Sequence, residues 1–124
     1  MKITQKYGNM EMQLDNEYFL DIFSQKKTYE IRLNDEKRQK LKLNDTLCLI
    51  NRNKPNEKLQ ANIIELSYFN TFKEALENTP LERIMPRETN LDTILDKYMS
   101  FKGYKENEAV YGVVRIKIKN VELF

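Results

Sequence analysis

Three charged side chains lie close together within residues 27–32 of the sequence: Lys27, Glu30 and Arg32. Residues two apart on a strand share a face, so Glu30 and Arg32 point the same way, and a bend at the start of the strand would bring Lys27 alongside Glu30. A guanidinium can donate two hydrogen bonds to a phosphate or a base edge, an ammonium supplies a point charge, and a carboxylate accepts from an amino group. The three together are therefore suited to recognise a nucleotide.

The same pattern also has a simpler interpretation. Charged residues that alternate along a strand most often form an exposed ladder of ion pairs, each worth less than about 1 kcal/mol. The alternation of Tyr29, Ile31 and Leu33 with polar residues predicts such a strand here. On the pattern alone, the exposed ladder is the more economical interpretation.

Four further side chains are candidates for ligand contacts. Arg83 and Arg87 fall in an irregular, proline-bracketed segment. Flexible arginines beside a cleft often contact phosphates, although a charged loop is equally often just solvated. Tyr98 or Tyr111 could provide a surface on which a base stacks.

The composition excludes several kinds of site. The chain contains no histidine, which excludes a histidine-based zinc site, a Cys-His dyad and a Ser-His-Asp triad. The one cysteine, Cys48, lies in an apolar run and is expected to be a buried core residue, not a nucleophile. We therefore expect neither a metal nor a cofactor.

Length and charge suggest one domain with one site. A chain of 124 residues, 40% of them hydrophobic, fits a single domain over residues 1–124 with a single core. Lys and Arg total 21 against 19 Asp and Glu, so affinity for nucleic acid would have to come from local placement of charge. No apolar run suggests a membrane span or a signal peptide, so a cytoplasmic protein is expected; the oligomeric state is not indicated.

The spacing of apolar residues predicts the elements that would position these side chains. Alternation predicts strands over residues 10–14, 28–33, 46–52 and 59–68. Helical spacing after an Asp15 N-cap predicts a helix over residues 15–24. The alternation changes parity between Ile63 and Ile64, which predicts a β-bulge.

The second half of the chain is predicted to contain two helices and a strand. Asn70 or Thr71 can cap a short helix, and Asn90 opens a longer one whose apolar stripe includes Tyr98. A last strand over 109–119 carries a basic face, interpreted as the solvent-exposed side of an edge strand, made of Arg115, Lys117 and Lys119. Five aromatic residues at core spacings are assigned to packing: Tyr18, Phe19, Phe23, Phe69 and Phe72. This order predicts a small mixed or antiparallel barrel.

Five segments resemble the ASCH domain family. Residues 25–32 (QKKTYEIR) resemble its Gly-x-Lys-x-x-Glu-x-Arg signature. The other four are 41–45 (LKLND, like its hydrophobic-x-x-Gly-Asp turn), 68–76 (YFNTFKEAL, like its aromatic-x-x-Phe helix start), 111–116 (YGVVRI, like its closing Tyr-Gly-Val strand) and 80–86 (PLERIMP, as in compact bacterial and archaeal members). Two residues depart from the pattern, Gln25 and Asn44, each standing where the family has Gly. Asn adopts positive φ readily and Gln poorly, so the turn before Lys26 is expected to differ.

The resemblance implies a fold and a function. The expected fold is α+β, a PUA-like mixed β pseudo-barrel of about five to six strands with about three flanking helices, related to domains that bind modified or structured RNA. The expected function is RNA or nucleotide binding in a polar cleft on the strand 27–33. The candidate contacts are Lys27, Thr28, Glu30, Arg32, Arg83, Arg87, Tyr98 and Tyr111.

Two alternatives stay open. Some bacterial ASCH proteins are amidohydrolases that remove the acetyl group from acetylated cytidine, with a Lys, a Thr and a Glu implicated, and others are described as ribonucleases. Lys27 matches that lysine, whereas Glu30 stands at the threonine position; in an enzyme Lys27 and Glu30 would be catalytic, or Thr28 would be the nucleophile. The third possibility is a non-catalytic protein-interaction domain.

Overall fold

The computed structural model describes residues 10–123. These residues form five strands and four α-helices, in chain order β1 (Met10–Leu14), α1 (Asn16–Phe23), β2 (Tyr29–Leu33), β3 (Thr46–Asn51), β4 (Lys58–Phe69), α2 (Phe72–Glu77), α3 (Leu91–Ser100), α4 (Tyr104–Tyr111) and β5 (Val113–Leu123). Two short 3₁₀ turns, Arg38–Lys40 and Leu81–Arg83, lie in the connections. Among these residues, none of the helices is long and apolar enough to cross a membrane.

The five strands form one sheet in the order β1-β3-β4-β5-β2, curled into a half-barrel. β1 pairs with β3 in parallel, and the other neighbouring strands are antiparallel. β1 and β2 are the two edge strands. Arg32 on β2 donates a hydrogen bond of 2.9 Å to the carbonyl oxygen of Gln13 on β1, so a side chain joins the two edges across the open side of the half-barrel.

Two apolar clusters lie on opposite faces of this sheet. The first combines α1 with side chains of β1, β3, β4 and β5, including Phe19, Ile22, Leu47 and Ile116. The second packs α2 and α3 against the outer face of β2 and β5, and includes Ile31, Phe72, Ile94 and Val113. Because both faces of β2 are covered, its polar residues are not simply turned toward solvent.

Most of the predicted elements are confirmed, and two of the three predicted caps form their hydrogen bonds, whereas Asp15 stands at the N-cap of α1 without a side-chain cap bond. The side chain of Thr71 accepts a hydrogen bond from the amide of Glu74 at 3.1 Å, and that of Asn90 accepts from the amide of Thr93 at 3.0 Å. Each oxygen thereby satisfies an amide that the first helical turn leaves unpaired. The pairing of β4 with β5 shifts register between Ile63 and Glu65, which confirms the predicted bulge.

The predicted boundaries of the last strand were wrong. Residues 104–111 form α4, and the strand begins only at Val113. α4 buries none of its eight residues, so it lacks the apolar stripe by which a helix is recognised in sequence. Gly112, at φ 71°, takes a backbone conformation that suits glycine and separates the helix from the strand.

β5 is also not an edge strand, because it pairs with both β4 and β2. On its predicted basic face, the guanidinium of Arg115 donates to the carbonyl oxygen of Asn78 and the hydroxyl of Thr79, both at 2.8 Å. Arg115 is therefore a structural residue. Of the aromatic residues assigned to packing, Phe23 is instead 48% exposed, whereas Cys48 is buried as expected.

Both residues that replace glycine have left-handed backbone conformations, with φ 65° at Gln25 and φ 73° at Asn44. The turn before Lys26 thus keeps positive φ despite the glutamine. The amides of Lys26 and Lys27 both donate to the carbonyl oxygen of Asp21, at 2.9 and 3.0 Å. These bonds fix the turn that positions Lys27. The cost is a left-handed backbone conformation at Gln25, which is strained for a residue with a Cβ.

We expect Gln25→Gly to stabilise the fold. Positive φ costs a residue with a Cβ about 1–2 kcal/mol, and the greater entropy of glycine in the unfolded chain offsets roughly 0.5–1 kcal/mol of the relief. Urea unfolding should show a gain of about 0.5–1 kcal/mol for Gln25→Gly. Gln25→Ala is the control, since alanine keeps the Cβ; an equal gain for alanine would contradict the explanation by strain.

Candidate functional site

A cavity of about 300 Å³ lies between the two edge strands of the half-barrel. β1, α1 and β2 supply one part of its wall, and the end of α3 with the α3–α4 connection supplies the other. The residues that line it are Gln13, Leu14, Asp15, Tyr18, Lys27, Glu30, Arg32, Arg52, Met85, Tyr98, Phe101, Lys102 and Tyr104. Its size is at the lower end of the range typical of small-molecule sites.

Lys27 is almost fully buried at the cavity wall, with 3% of its surface exposed. Its ammonium donates hydrogen bonds to the carbonyl oxygens of Tyr29 at 2.8 Å and Ile84 at 2.9 Å. It also lies 3.8 Å from Oε1 of Glu30 and 5.9 Å from the centre of the Tyr18 ring. Lys27 therefore anchors β2 to the loop after α2 and holds positive charge beside Glu30.

Glu30 is the buried acid of the site, with 4% of its surface exposed. Its pairing with Ile116 on β5 places it on the inner face of the sheet. Oε1 accepts from the amide of Ile31 at 3.1 Å and lies within 4 Å of both Lys27 and Arg32. Oε2 is buried and has no hydrogen-bond partner among residues 10–123.

Arg32 connects the acid to the opposite edge strand. Its Nε lies 3.6 Å from Oε1 of Glu30, and its Nη2 donates to the carbonyl oxygen of Gln13. Pairing with Val114 places it, like Glu30, on the inner face. The predicted grouping of Lys27, Glu30 and Arg32 is thus present, and the side chains line a recess instead of forming an exposed ladder.

Burial and pairing shift the pKa values of this group. Burial lowers the pKa of Lys27, and the charge of Glu30 offsets only part of that effect. Burial by itself would raise the pKa of Glu30, but the charges of Lys27 and Arg32 outweigh it and keep that pKa below its usual value. Glu30 is therefore a carboxylate at neutral pH, and its unpartnered oxygen is an acceptor.

Aromatic rings form the wall opposite β2. The rings of Tyr98 and Tyr104 both stack on Phe72, with centroids 5.1 and 5.2 Å away. Phe101 meets each tyrosine edge to face, at 5.6 and 5.4 Å. Burial raises the pKa of Tyr98 well above its usual value, so its phenol keeps its proton. The cavity thus has a charged side and an aromatic side.

The ASCH domain model of protein families matches residues 12–122 of the chain. The chain belongs to the ASCH domain family. That match spans the strands, helices and cavity described above, so the resemblance inferred from the five segments is confirmed.

Solved structures agree with this assignment. The crystal structure of hypothetical protein PH0355 shares 30% identity, with a TM-score of 0.76 over 93% of this chain and 98% of that one. The NMR structure of protein PF0455 from Pyrococcus furiosus shares 31%, with a TM-score of 0.67 over 89% and 94%. The ASCH crystal structure from Zymomonas mobilis shares the fold, with 13% identity and a TM-score of 0.64 over 93% of this chain and 70% of that one. No curated protein matches the chain. The expected α+β, PUA-like pseudo-barrel is confirmed.

Four of the predicted contacts lie outside the cavity of this ASCH domain. Thr28 and Arg83 line a groove on the other side of the sheet. Tyr111 is the last residue of α4, next to Gly112, and lines a different groove. Arg87 is engaged elsewhere: its guanidinium forms two hydrogen bonds, of 2.8 and 2.6 Å, with the buried carboxylate of Asp21. Arg87 therefore fastens the loop before α3 to α1, which is a structural role.

The sequence reasoning missed most of the residues on the aromatic side. Tyr18 had been assigned to packing, and neither Phe101 nor Tyr104 was singled out. Gly103, at φ 81°, forms the turn between them. Two aromatic residues flanking Lys-Gly directly after a helix suggest an exposed, ordered turn, and that pattern was available in the sequence.

We expect Arg87→Ala to lower the free energy of unfolding by about 1–3 kcal/mol, because it leaves the buried Asp21 carboxylate without its donor. Urea unfolding measures the loss, with Arg52→Ala as the control. Arg52 also pairs with an aspartate, Asp15, at 2.8 Å, but both side chains of that pair are more than half exposed, so its removal should cost under about 1 kcal/mol. Equal losses would refute the structural role of Arg87.

Glu30→Gln should destabilise the domain at neutral pH, by roughly 3 kcal/mol, because it leaves the buried Lys27 and the partly buried Arg32 without their carboxylate. The pKa of Glu30 is below its usual value of 4.5 when the chain is folded. The stabilisation that the Glu30 carboxylate gives the folded state is therefore complete above about pH 4.5 and is lost as the pH falls through the pKa of Glu30 in the folded chain. Urea unfolding at several pH values should show a constant gap between wild type and variant above pH 4.5 that narrows below it; a gap that widens in acid would contradict this assignment.

Proposed function

We propose that this ASCH domain binds a nucleotide in the cavity, either free or as an unpaired nucleotide of an RNA. The base would insert between the charged side and the aromatic side, with its edge against Glu30 and Arg32. Single-stranded RNA is commonly recognised this way, by stacking bases on aromatic rings and bonding their edges. The cavity's volume, within the range of small-molecule sites, supports the proposal together with the arrangement of charged and aromatic groups around it.

The observation that carries the proposal is the unpartnered oxygen of Glu30. A buried charged acceptor without a hydrogen bond is costly, and native structures rarely keep one without a reason. Oε1 is surrounded by donors while Oε2 has none among the described residues. A ligand that donates to Oε2 would satisfy it, and an amino group of a base is such a donor.

Arg32 adds a preference among bases. Its Nη2 is committed to Gln13, and Nη1 has no hydrogen-bond acceptor among residues 10–123. A carboxylate next to a guanidinium complements an edge on which an amino group adjoins a ring nitrogen. Adenine and cytosine present such an edge, whereas uracil carries no amino group. We therefore expect adenine or cytosine to bind better than uracil.

A hydrolase is the second candidate, favoured by the lowered pKa of Lys27 beside a carboxylate. The geometry argues against Lys27 as the base or nucleophile. An ammonium has three N–H groups; two of them bond main-chain carbonyl oxygens, and Glu30 lies on the remaining side. Conversion of acetylated cytidine to cytidine by the wild type, abolished by Lys27→Arg, would favour the hydrolase over a binding domain.

Phe101 offers a test of binding that spares the buried charges, because it lies at the cavity mouth and is 42% exposed. A base stacked on an aromatic ring loses about 1–3 kcal/mol when the ring is removed. Phe101→Ala should therefore weaken nucleotide binding by roughly 5- to 150-fold. Isothermal titration of adenosine, cytidine and uridine monophosphates into wild type and variant measures the change.

Phe23→Ala is the matched control, since Phe23 is 48% exposed and does not line the cavity. It should leave affinity unchanged. Loss of binding in both variants, or a wild type that binds no nucleotide at millimolar concentration, would overturn the proposal. Absence of both nucleotide and RNA binding at low salt would point instead to a protein-interaction domain.

A further inference from the structure

The outer face of the β2–β5 pair carries a second groove, of about 560 Å³. Tyr29 pairs with Lys117 across the two strands, one position from the Glu30–Ile116 pair that faces inward. Because side chains alternate along a strand, Tyr29 and Lys117 point away from the cavity. The groove and the cavity therefore lie on opposite faces of the same strand, and the groove takes no part in the function proposed above.

The groove concentrates positive charge. Arg83, Lys117 and Lys119 line it, and within the described part of the chain no carboxylate does. The whole chain has a formal net charge of only +2, so this balance is local. The nearest acid in register, Glu65 opposite Lys117, lies 3.7 Å from Arg115 instead. None of the three groove cations has a salt-bridge partner among residues 10–123.

Two of these cations are held in place. The main-chain oxygen of Arg83 accepts from the amide of Thr28 at 3.0 Å, and its Nη1 donates to the carbonyl oxygen of Gln25 at 3.3 Å. Lys117 packs over the Tyr29 ring, with its ammonium 5.5 Å from the centroid. Positioned charges lose less conformational freedom on binding than mobile ones.

We propose that this groove binds the phosphate backbone of single-stranded RNA. Arginine and lysine are the usual partners of phosphate oxygens, with arginine able to bond two at once. Lys117 and Lys119 project from one face of β5 about 6.5 Å apart along the strand, a spacing close to that of neighbouring phosphates in an extended chain. A row of cations without acids suits a polyanion better than an acidic protein surface, whose carboxylates are not evenly spaced.

The test neutralises the three cations together: Arg83→Gln, Lys117→Gln and Lys119→Gln in one variant. Glutamine keeps much of each aliphatic stem. Fluorescence anisotropy with a labelled single-stranded RNA measures affinity over a range of salt concentrations. Losing three phosphate contacts on a single strand should lower the slope of log Kd against log salt by about 2, and weaken binding at least about tenfold at ~50 mM salt.

The control variant changes three exposed lysines outside the groove: Lys73→Gln, Lys97→Gln and Lys105→Gln. Both variants lose three positive charges, so their formal net charge falls equally, from +2 to −1. The control should keep nearly wild-type affinity and slope. Equal losses in the two variants, or no loss in the groove variant, would overturn the proposal. The proposal would also be overturned if the groove bound heparin more tightly than RNA.

Two further measurements distinguish loss of RNA binding at the groove from unfolding of the variant and from loss of nucleotide binding in the cavity. Thermal unfolding checks the triple variant; if it is unstable, Arg83→Gln with Lys119→Gln, both exposed, should still lower the slope by about 1.4. Binding of a nucleoside monophosphate should be unchanged by the groove variant, and the salt slope for RNA should be unchanged by Phe101→Ala. Nucleotide binding in the cavity and RNA-backbone binding in the groove can therefore each be tested even if the other proposal fails.

Discussion

The buried Lys27 and the partly buried Arg32 share one buried carboxylate, that of Glu30, between the edge strands of the half-barrel. Lys27 and Arg32 approach the same oxygen of Glu30, at 3.8 and 3.6 Å. Buried charges are tolerated only when paired and hydrogen-bonded, and removal of one partner leaves the others uncompensated. The group carries a net charge of +1 and keeps one carboxylate oxygen without a partner in the described chain. It therefore favours a ligand that both donates to an anion and accepts from a cation.

The same three side chains also close the fold. Lys27 ties β2 to the loop at Ile84, and Arg32 ties β2 to β1 through Gln13. Within residues 10–123, no backbone pairing joins the two edge strands of the half-barrel, so these bonds bridge the gap in which the cavity lies. The side chains that line the cavity are therefore also the ones that hold the half-barrel together, and substitution of Lys27 or Glu30 alters both the cavity and the stability of the fold. Phe101, at the mouth, belongs to the site without taking part in the closure.

Local patterns in the sequence were sufficient for most of the fold. Alternation, helical spacing and the caps Thr71 and Asn90 report interactions between residues close in the chain, and these elements formed as predicted. α4 was missed because it buries no side chain, so its residues carry no periodic apolar signature. β5 was placed at an edge for a different reason: strand order depends on contacts between distant segments, which periodicity does not encode.

The candidate site also depends on contacts between distant segments that local sequence patterns do not encode. Alternation along β2 predicted that Glu30 shares a face with Arg32, and it does, but an alternating strand is normally wet on its polar face. Here the sheet curls, and Tyr98, Phe101 and Tyr104, at the end of α3 and just after it, line the cavity opposite that face, so both sides of β2 are enclosed. The polar face becomes the cavity, and the outer face holds Ile31 and, farther along the pair, Tyr29 with Lys117. The two faces of this strand pair therefore differ in their charges: Glu30 and Arg32 on the inner face are paired with each other, whereas Lys117 on the outer face has no salt-bridge partner among residues 10–123.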